Sequence, residues 1–191
     1  MLKTLPPTSP RRVRECPAPG LPAPDAALPA LLQQCLVGED VPGQQQALHQ
    51  LCALTGWEEQ NQRQAVQLGA VPLALQLLKT HSPHASHTQA PAEENESTIL
   101  MVKSLSFLYN ISTNEDLSDQ VAHVPGCAST LVSLVAAAAS HQVTVLAARC
   151  LINLTQTSQV GQDEALKVGM RVCICGCCVM SYVRSLVQMF A

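Results

Sequence analysis

From about residue 43 to residue 170, apolar side chains recur at three- and four-residue intervals. They fall in short blocks separated by Gly, Pro, Asn or Ser, which predicts helices rather than strands. Comparing the chain with itself aligns three blocks without gaps: LCALTGWEEQNQRQAVQLG (Leu51 to Gly69), LYNISTNEDLSDQVAHVPG (Leu108 to Gly126) and LINLTQTSQVGQDEALKVG (Leu151 to Gly169). In each, the opening Leu stands eighteen residues before the closing Gly. A block reads as the end of a long helix, a turn at Thr55, Ser112 or Thr155, and a polar entry into a second helix. Val66, Val121 and Leu166 are expected to serve as the equivalent apolar contact of that second helix. The closing Gly is suited to positive φ, where the chain must turn sharply into the next helix. GAVPLALQLL (Gly69 to Leu78) and GCASTLVSLV (Gly126 to Val135) supply that helix, with Pro72 tolerated in its first turn. A unit this short cannot bury its apolar faces alone, so the units must stack.

The flanks break the pattern. Eight of the thirteen prolines fall within residues 1 to 30, so residues 1–24 are expected to be a Pro-rich disordered arm. Order is expected from Asp25, capping a short helix that carries Leu28, Leu31 and Leu32, and the repeat region is drawn at 25–170. Between the first two blocks lies KTHSPHASHTQAPAEENES (79–97), a flexible insertion by its Pro, His, Ser and Glu content. It makes the repeat spacing 57 residues and then 43. After Gly169 the repeat ends in mid-unit. Residues 171–191 form an atypical Cys-rich tail in which Val179, Tyr182, Val183, Leu186, Val187 and Phe190 have the spacing of an amphipathic capping helix.

Composition narrows the function. In 191 residues, 47% hydrophobic content is enough for a core, and 3% aromatic content favours Ala- and Leu-rich helices over sheet. A net charge of −3, with scattered Lys and Arg, excludes a nucleic-acid footprint. The N-terminal stretch lacks a signal-peptide apolar run, so a cytoplasmic or nuclear location is expected. Nine irregularly placed cysteines do not form a disulfide framework, and the sequons at Asn95, Asn110 and Asn153 then have no secretory meaning. The apolar stretch Val172 to Val183 is too short to span a bilayer. No phosphate-binding loop, nucleophile elbow or H-E-x-x-H motif is present, which argues against an enzyme. His81, His84 and His87 lie in a stretch unsuited to a helix, and Cys173, Cys175, Cys177 and Cys178 are too crowded to wrap one zinc ion. No metal and no cofactor are expected. Cys52 and Cys150, among apolar neighbours, read as core thiols.

The helix ends Leu151-Ile152-Asn153-Leu154 and Leu108-Tyr109-Asn110-Ile111, the helix start GAVPLALQLL and the constant eighteen-residue interval together resemble the armadillo repeat family over about residues 43 to 170. The resemblance implies an all-α, armadillo-like α-solenoid of about two and a half repeats, looking like a truncated or alternatively ended member. Such solenoids bind partners in a concave groove lined by the third helix of each repeat. Helical spacing then nominates the groove residues: Gln46 and His49 in the first unit, Lys103, Ser106 and Asn110 in the second, and Gln142, Arg149 and Asn153 in the third. In the family the Asn contacts the backbone of an extended bound peptide, and this carries over to Asn110 and Asn153 only, since Ala53 stands in the first unit. Receptors of the importin-α type place Trp four residues before that Asn. Ser106 and Arg149 stand there, which argues against recognition of nuclear localisation signals. The implied function is a non-enzymatic scaffold or adaptor binding an extended or helical segment of another protein. The alternative is a truncated regulatory remnant that self-associates through its open C-terminal repeat end, or competes with a full-length form.

Overall fold

The computed structural model describes residues 24–37, 41–56, 58–82, 96–137 and 140–174. The Pro-rich arm before Pro24, the centre of the 79–97 insertion and most of the Cys-rich tail lie outside these residues. Among the described residues the chain is all-α: α1 (Pro24–Val37), α2 (Val41–Thr55), α3 (Glu59–Gln67), α4 (Ala70–Thr80), α5 (Glu96–Ser112), α6 (Glu115–Ala122), α7 (Cys127–Ala137), α8 (His141–Thr157) and α9 (Gln159–Ile174). The order is a repeating short–medium–long triplet, with α3–α4–α5 and α6–α7–α8 complete. The pair α1–α2 precedes them and α9 opens a further unit.

Local chemistry sets these boundaries. Asn114 and Ser140 precede their helices in extended conformation and accept from the Leu117 and Val143 amides at 3.4 and 3.2 Å, satisfying donors that a helix start leaves open. Gly69 and Gly126 both have φ +81°, which an L-residue reaches only under strain, and they turn the chain into α4 and α7. Gly169 behaves differently, because α9 runs through it to Ile174. Pro72 and Pro125 flank the first two turns, and nothing between Lys167 and Ile174 likewise interrupts the helical hydrogen bonds. Lys79 and Thr80 complete α4, while Glu96 and Ser97 open α5.

The long helices α2, α5 and α8 stack side by side, each backed by α1, α4 or α7. Leu28, Leu48, Leu78, Leu105, Phe107, Ile111, Leu131 and Leu154 are fully buried in one continuous apolar core. On α8 the helically spaced apolar residues Val143, Ala147, Leu151 and Leu154 are all buried. Of the Val66, Val121 and Leu166 set, Val121 is buried and Val66 packs half-buried against the core, so only Leu166 fails as a core contact. Ala65, Ala122 and Ala165 occupy the aligned position and are 0%, 1% and 3% exposed, whereas Leu166 is 47% exposed.

Ser104 is completely buried on α5 and its hydroxyl has no hydrogen-bond partner among the described residues. An unsatisfied hydroxyl carries its full desolvation penalty, so Ser104→Ala should raise stability by about 1 kcal/mol, read as a higher urea midpoint at unchanged m.

Candidate functional site

A helix advances about 100° per residue, so α8 divides into faces according to the partner each residue meets. Cys150, Asn153 and Thr157 bond to α5 or α6: Cys150 Sγ to the Leu105 carbonyl at 3.6 Å, Asn153 Nδ2 to Ser112 Oγ at 3.0 Å, and Thr157 Oγ1 to Ser118 Oγ at 2.7 Å. Val143, Ala147 and Leu154 face the core. Gln142, Arg149 and Gln156 occupy the side away from that core and are exposed. The eighteen-residue frame gives matching rows on the other long helices: Gln46, Lys103 and Leu146; His49, Ser106 and Arg149; Ala53, Asn110 and Asn153; Gly56, Thr113 and Gln156.

Within these rows the named residues differ in availability. Gln46 and His49 on α2 are exposed, Lys103 and Ser106 on α5 are half-buried, and the Ser106 hydroxyl donates back to the Val102 carbonyl at 2.8 Å. Both Asn carboxamides join neighbouring units. Asn110 Nδ2 donates to the Cys52 carbonyl of α2 at 3.2 Å, and the Asn110 main-chain carbonyl accepts from Gln62 Nε2 at 3.2 Å. Asn110 and Asn153 therefore each bridge adjacent repeats through one amide hydrogen, the arrangement that replaces any sequon reading of these positions.

Where the C-terminal ends of α5 and α8 approach α6, the surface opens into a cavity of about 940 Å3. Asn153 is the one nominated groove residue that lines it, joined by Thr113, Gln156 and Thr157 from the same helix ends. Glu115, Asp116 and Asp119 of α6 supply three carboxylates, and Arg63 reaches in from α3. Arg63 Nη2 pairs with Glu59 at 2.6 Å on its own helix and with Asp116 at 3.1 Å on the next unit. Two of the carboxylates have a local reason for their position, since Glu115 and Asp116 stand in the first turn of α6 and offset the positive end of its dipole. The helix ends of α5 and α8 point the negative ends of their dipoles toward the same cavity, and the sum favours a cation there. The acidic character was not foreseen from the sequence. The available signal was the Asn-Glu-Asp run in the middle of the second block, whose carboxylates fall beside the C-terminal end of α8 only once α6 folds back.

Among the described residues, Cys35, Cys127 and Cys150 are buried thiols and Cys52 is half-buried. Desolvation pushes Cys35 and Cys52 up to about 11 and Cys127 up to about 12, and drives the fully buried Cys150 upward as well. Cys52 Sγ donates to the Lys103 carbonyl at 3.3 Å, another link between α2 and α5. Cys173 belongs to α9 by its backbone, while Cys175, Cys177 and Cys178 lie outside the described residues, as do His84 and His87. His81 is described, and its Nδ1 lies 2.9 Å from Ser97 Oγ. Among the described residues no three His, Cys, Asp or Glu side chains are placed to hold a metal ion, and no single helix is long and apolar enough to cross a membrane.

Comparison with known proteins places the architecture. A designed armadillo repeat protein solved in complex with the peptide (KR)4 superimposes with a TM-score of 0.58 at 20% sequence identity. The match covers 74% of this chain and 52% of the designed one, so the chain spans about half the length of that protein. No family model matches the sequence. No curated protein matches it either. The fold is an armadillo-like helical repeat solenoid, with α2, α5 and α8 as the long helices of successive units.

Proposed function

We propose that this chain is a non-enzymatic protein-binding scaffold that takes an extended segment of another protein along the α2–α5–α8 rows and seats a basic side chain of that segment in the acidic cavity. The observation that carries this reading is the meeting of Asn153 and Gln156 with Glu115, Asp116 and Asp119 around one 940 Å3 opening. An extended peptide supplies backbone groups to the carboxamides and a Lys or Arg to the carboxylates, so main-chain bonds and charge act at neighbouring positions. Arg63 lies at one side of this cavity with its guanidinium 3.1 Å from Asp116, which supports the reading that a basic group can be seated beside that carboxylate. The designed solenoid of like fold is bound to a peptide of alternating Lys and Arg, which agrees in charge with this cavity.

The test is fluorescence anisotropy of a labelled Lys-Arg octapeptide against the full chain at several salt concentrations. The triple substitution Glu115→Gln, Asp116→Asn and Asp119→Asn should weaken binding at least about tenfold and flatten its salt dependence. Asn153→Ala should weaken it about threefold with the salt dependence retained, because it removes a hydrogen-bonding group and no charge. Equal affinity of the wild type and the triple variant would overturn the assignment.

A further inference from the structure

Charge is partitioned along the long helices. α2 carries no Asp, Glu, Lys or Arg, α8 carries Arg149 alone, and α5 carries Glu96 in its first turn and Lys103 two turns later. Neither Lys103 nor Arg149 forms an ion pair among the described residues. The carboxylates come from a short helix instead. Glu115, Asp116 and Asp119 of α6 border the cavity at the C-terminal ends of α5 and α8, against the single guanidinium of Arg63.

The repeat register fixes where the two signs stand. Lys103 is level with Leu146 and Arg149 with Ser106, so the two cations lie one row apart on adjacent helices. Arg149 is exposed and Lys103 half-buried. Along α8, Asn153 follows Arg149 by four residues and precedes Gln156 of the cavity by three, about 6 Å and about 5 Å of helix axis. On α5, Asn110 likewise stands between Lys103 and Thr113 of the cavity. The cationic side chains therefore lie on one side of Asn110 and Asn153 and the anionic cavity on the other. Successive side chains of an extended segment point to opposite sides of its backbone. A backbone laid across both Asn residues sends alternate side chains toward the cavity and the intervening ones toward Lys103 and Arg149.

We propose that the segment bound by this array is one of alternating charge, in which a Lys or Arg seated at the cavity is flanked in sequence by an Asp or Glu that pairs with Arg149 or Lys103. This partner chemistry rests on the α2–α5–α8 rows being the binding surface, as proposed above, and adds the sign of the second side. A uniformly basic segment sets half of its charges against Lys103 and Arg149. A uniformly acidic one sets half against the α6 carboxylates, and only alternation meets both. Exposed ion pairs each add little affinity, so the pattern acts by rejecting segments whose charges fall on the wrong side.

Fluorescence anisotropy of the full chain with three labelled octapeptides, at about 0.1 M salt where screening reaches in at about 10 Å, tests it. One peptide alternates Lys and Glu strictly, its isomer alternates them in pairs (Lys-Lys-Glu-Glu), and the third is the Lys-Arg peptide. The two isomers share composition and net charge, so a difference between them reports the pattern alone. The strictly alternating isomer should bind at least about threefold tighter than the paired one. In the double variant Lys103→Gln, Arg149→Gln that preference should vanish while the Lys-Arg peptide gains affinity. Arg149→Gln alone, at an exposed position, should diminish the preference, which keeps the result readable if the double variant unfolds. Equal affinity of the isomers for the wild type, with Lys-Arg binding still dependent on the α6 carboxylates, would overturn the pattern and leave the binding surface standing. A preference undiminished in the variants would also overturn it. Failure of all three peptides to bind would overturn the pattern and the binding surface together.

Discussion

Phe107→Ala is expected to lower the stability of the chain by about 3–5 kcal/mol, the range for truncating a buried aromatic side chain. Phe107 is fully buried, and it stands on the central long helix of the stack. α5 packs against α2 on one side and α8 on the other, so the void lies at the point where both stacking interfaces depend on one helix. The aligned positions on α2 and α8 are Gln50 and Cys150, which cannot compensate by moving a large apolar group inward. Because a solenoid is held by contacts between neighbouring units, the loss should broaden the urea transition as well as shift it. Circular dichroism at the helical minimum across a urea series gives both quantities. A shift worth less than about 1 kcal/mol would mean that α5 is not enclosed as described.

Gly161→Ala should lower stability by about 2 kcal/mol. A Cβ at Gly161 would stand 2.7 Å from the Leu154 carbonyl oxygen and 3.5 Å from Ala122 Cβ, and the first of these neighbours is backbone. α9 crosses the end of α8 at this point, with Gln162 Nε2 donating to the Thr155 carbonyl at 2.7 Å, so relief requires the whole helix to lift. Gly69→Ala provides the internal comparison. Gly69 has φ +81° but nothing within 4 Å of its added Cβ, so that change costs only the backbone strain of about 1 kcal/mol and leaves α9 undisturbed. Hydrogen exchange should show α9 amides released in the Gly161 variant and unchanged in the Gly69 variant. Equal effects at the two glycines would mean that packing at the α8–α9 crossing is loose.

The pattern of the chain carried the helices and their repetition because both are local. Three blocks of eighteen-residue interval, the glycines at 69 and 126, and the buried Val143–Ala147–Leu151–Leu154 stripe all follow from helical period and backbone preference. The same reasoning misplaced one contact of the short helices. Apolar size alone predicts burial of Leu166, whereas the small Ala165 beside it is the buried residue, as Ala65 and Ala122 are in the earlier units. It also treated Gly169 as a third turn, although a Gly turns the chain only where neighbouring residues stop the helix, as Pro125 does beside Gly126.

The groove was legible as rows and illegible as a site. Helical period assigned Lys103, Ser106, Asn110, Gln142, Arg149 and Asn153 to one side of their helices without any knowledge of neighbours. Which amide hydrogen is spent on the adjacent unit, at Cys52 for Asn110 and at Ser112 for Asn153, depends on the rise and rotation between stacked helices. The clustering of Glu115, Asp116 and Asp119 with residues some forty positions later, and with Arg63 some fifty earlier, arises from the fold-back of α6. By itself, then, the sequence determined an all-helical chain of repeated units with one polar side, since these properties depend on residues within a turn or two of each other. The tertiary structure alone decided where the charge collects, because electrostatic fields belong to residues brought together across the stack and not along the chain.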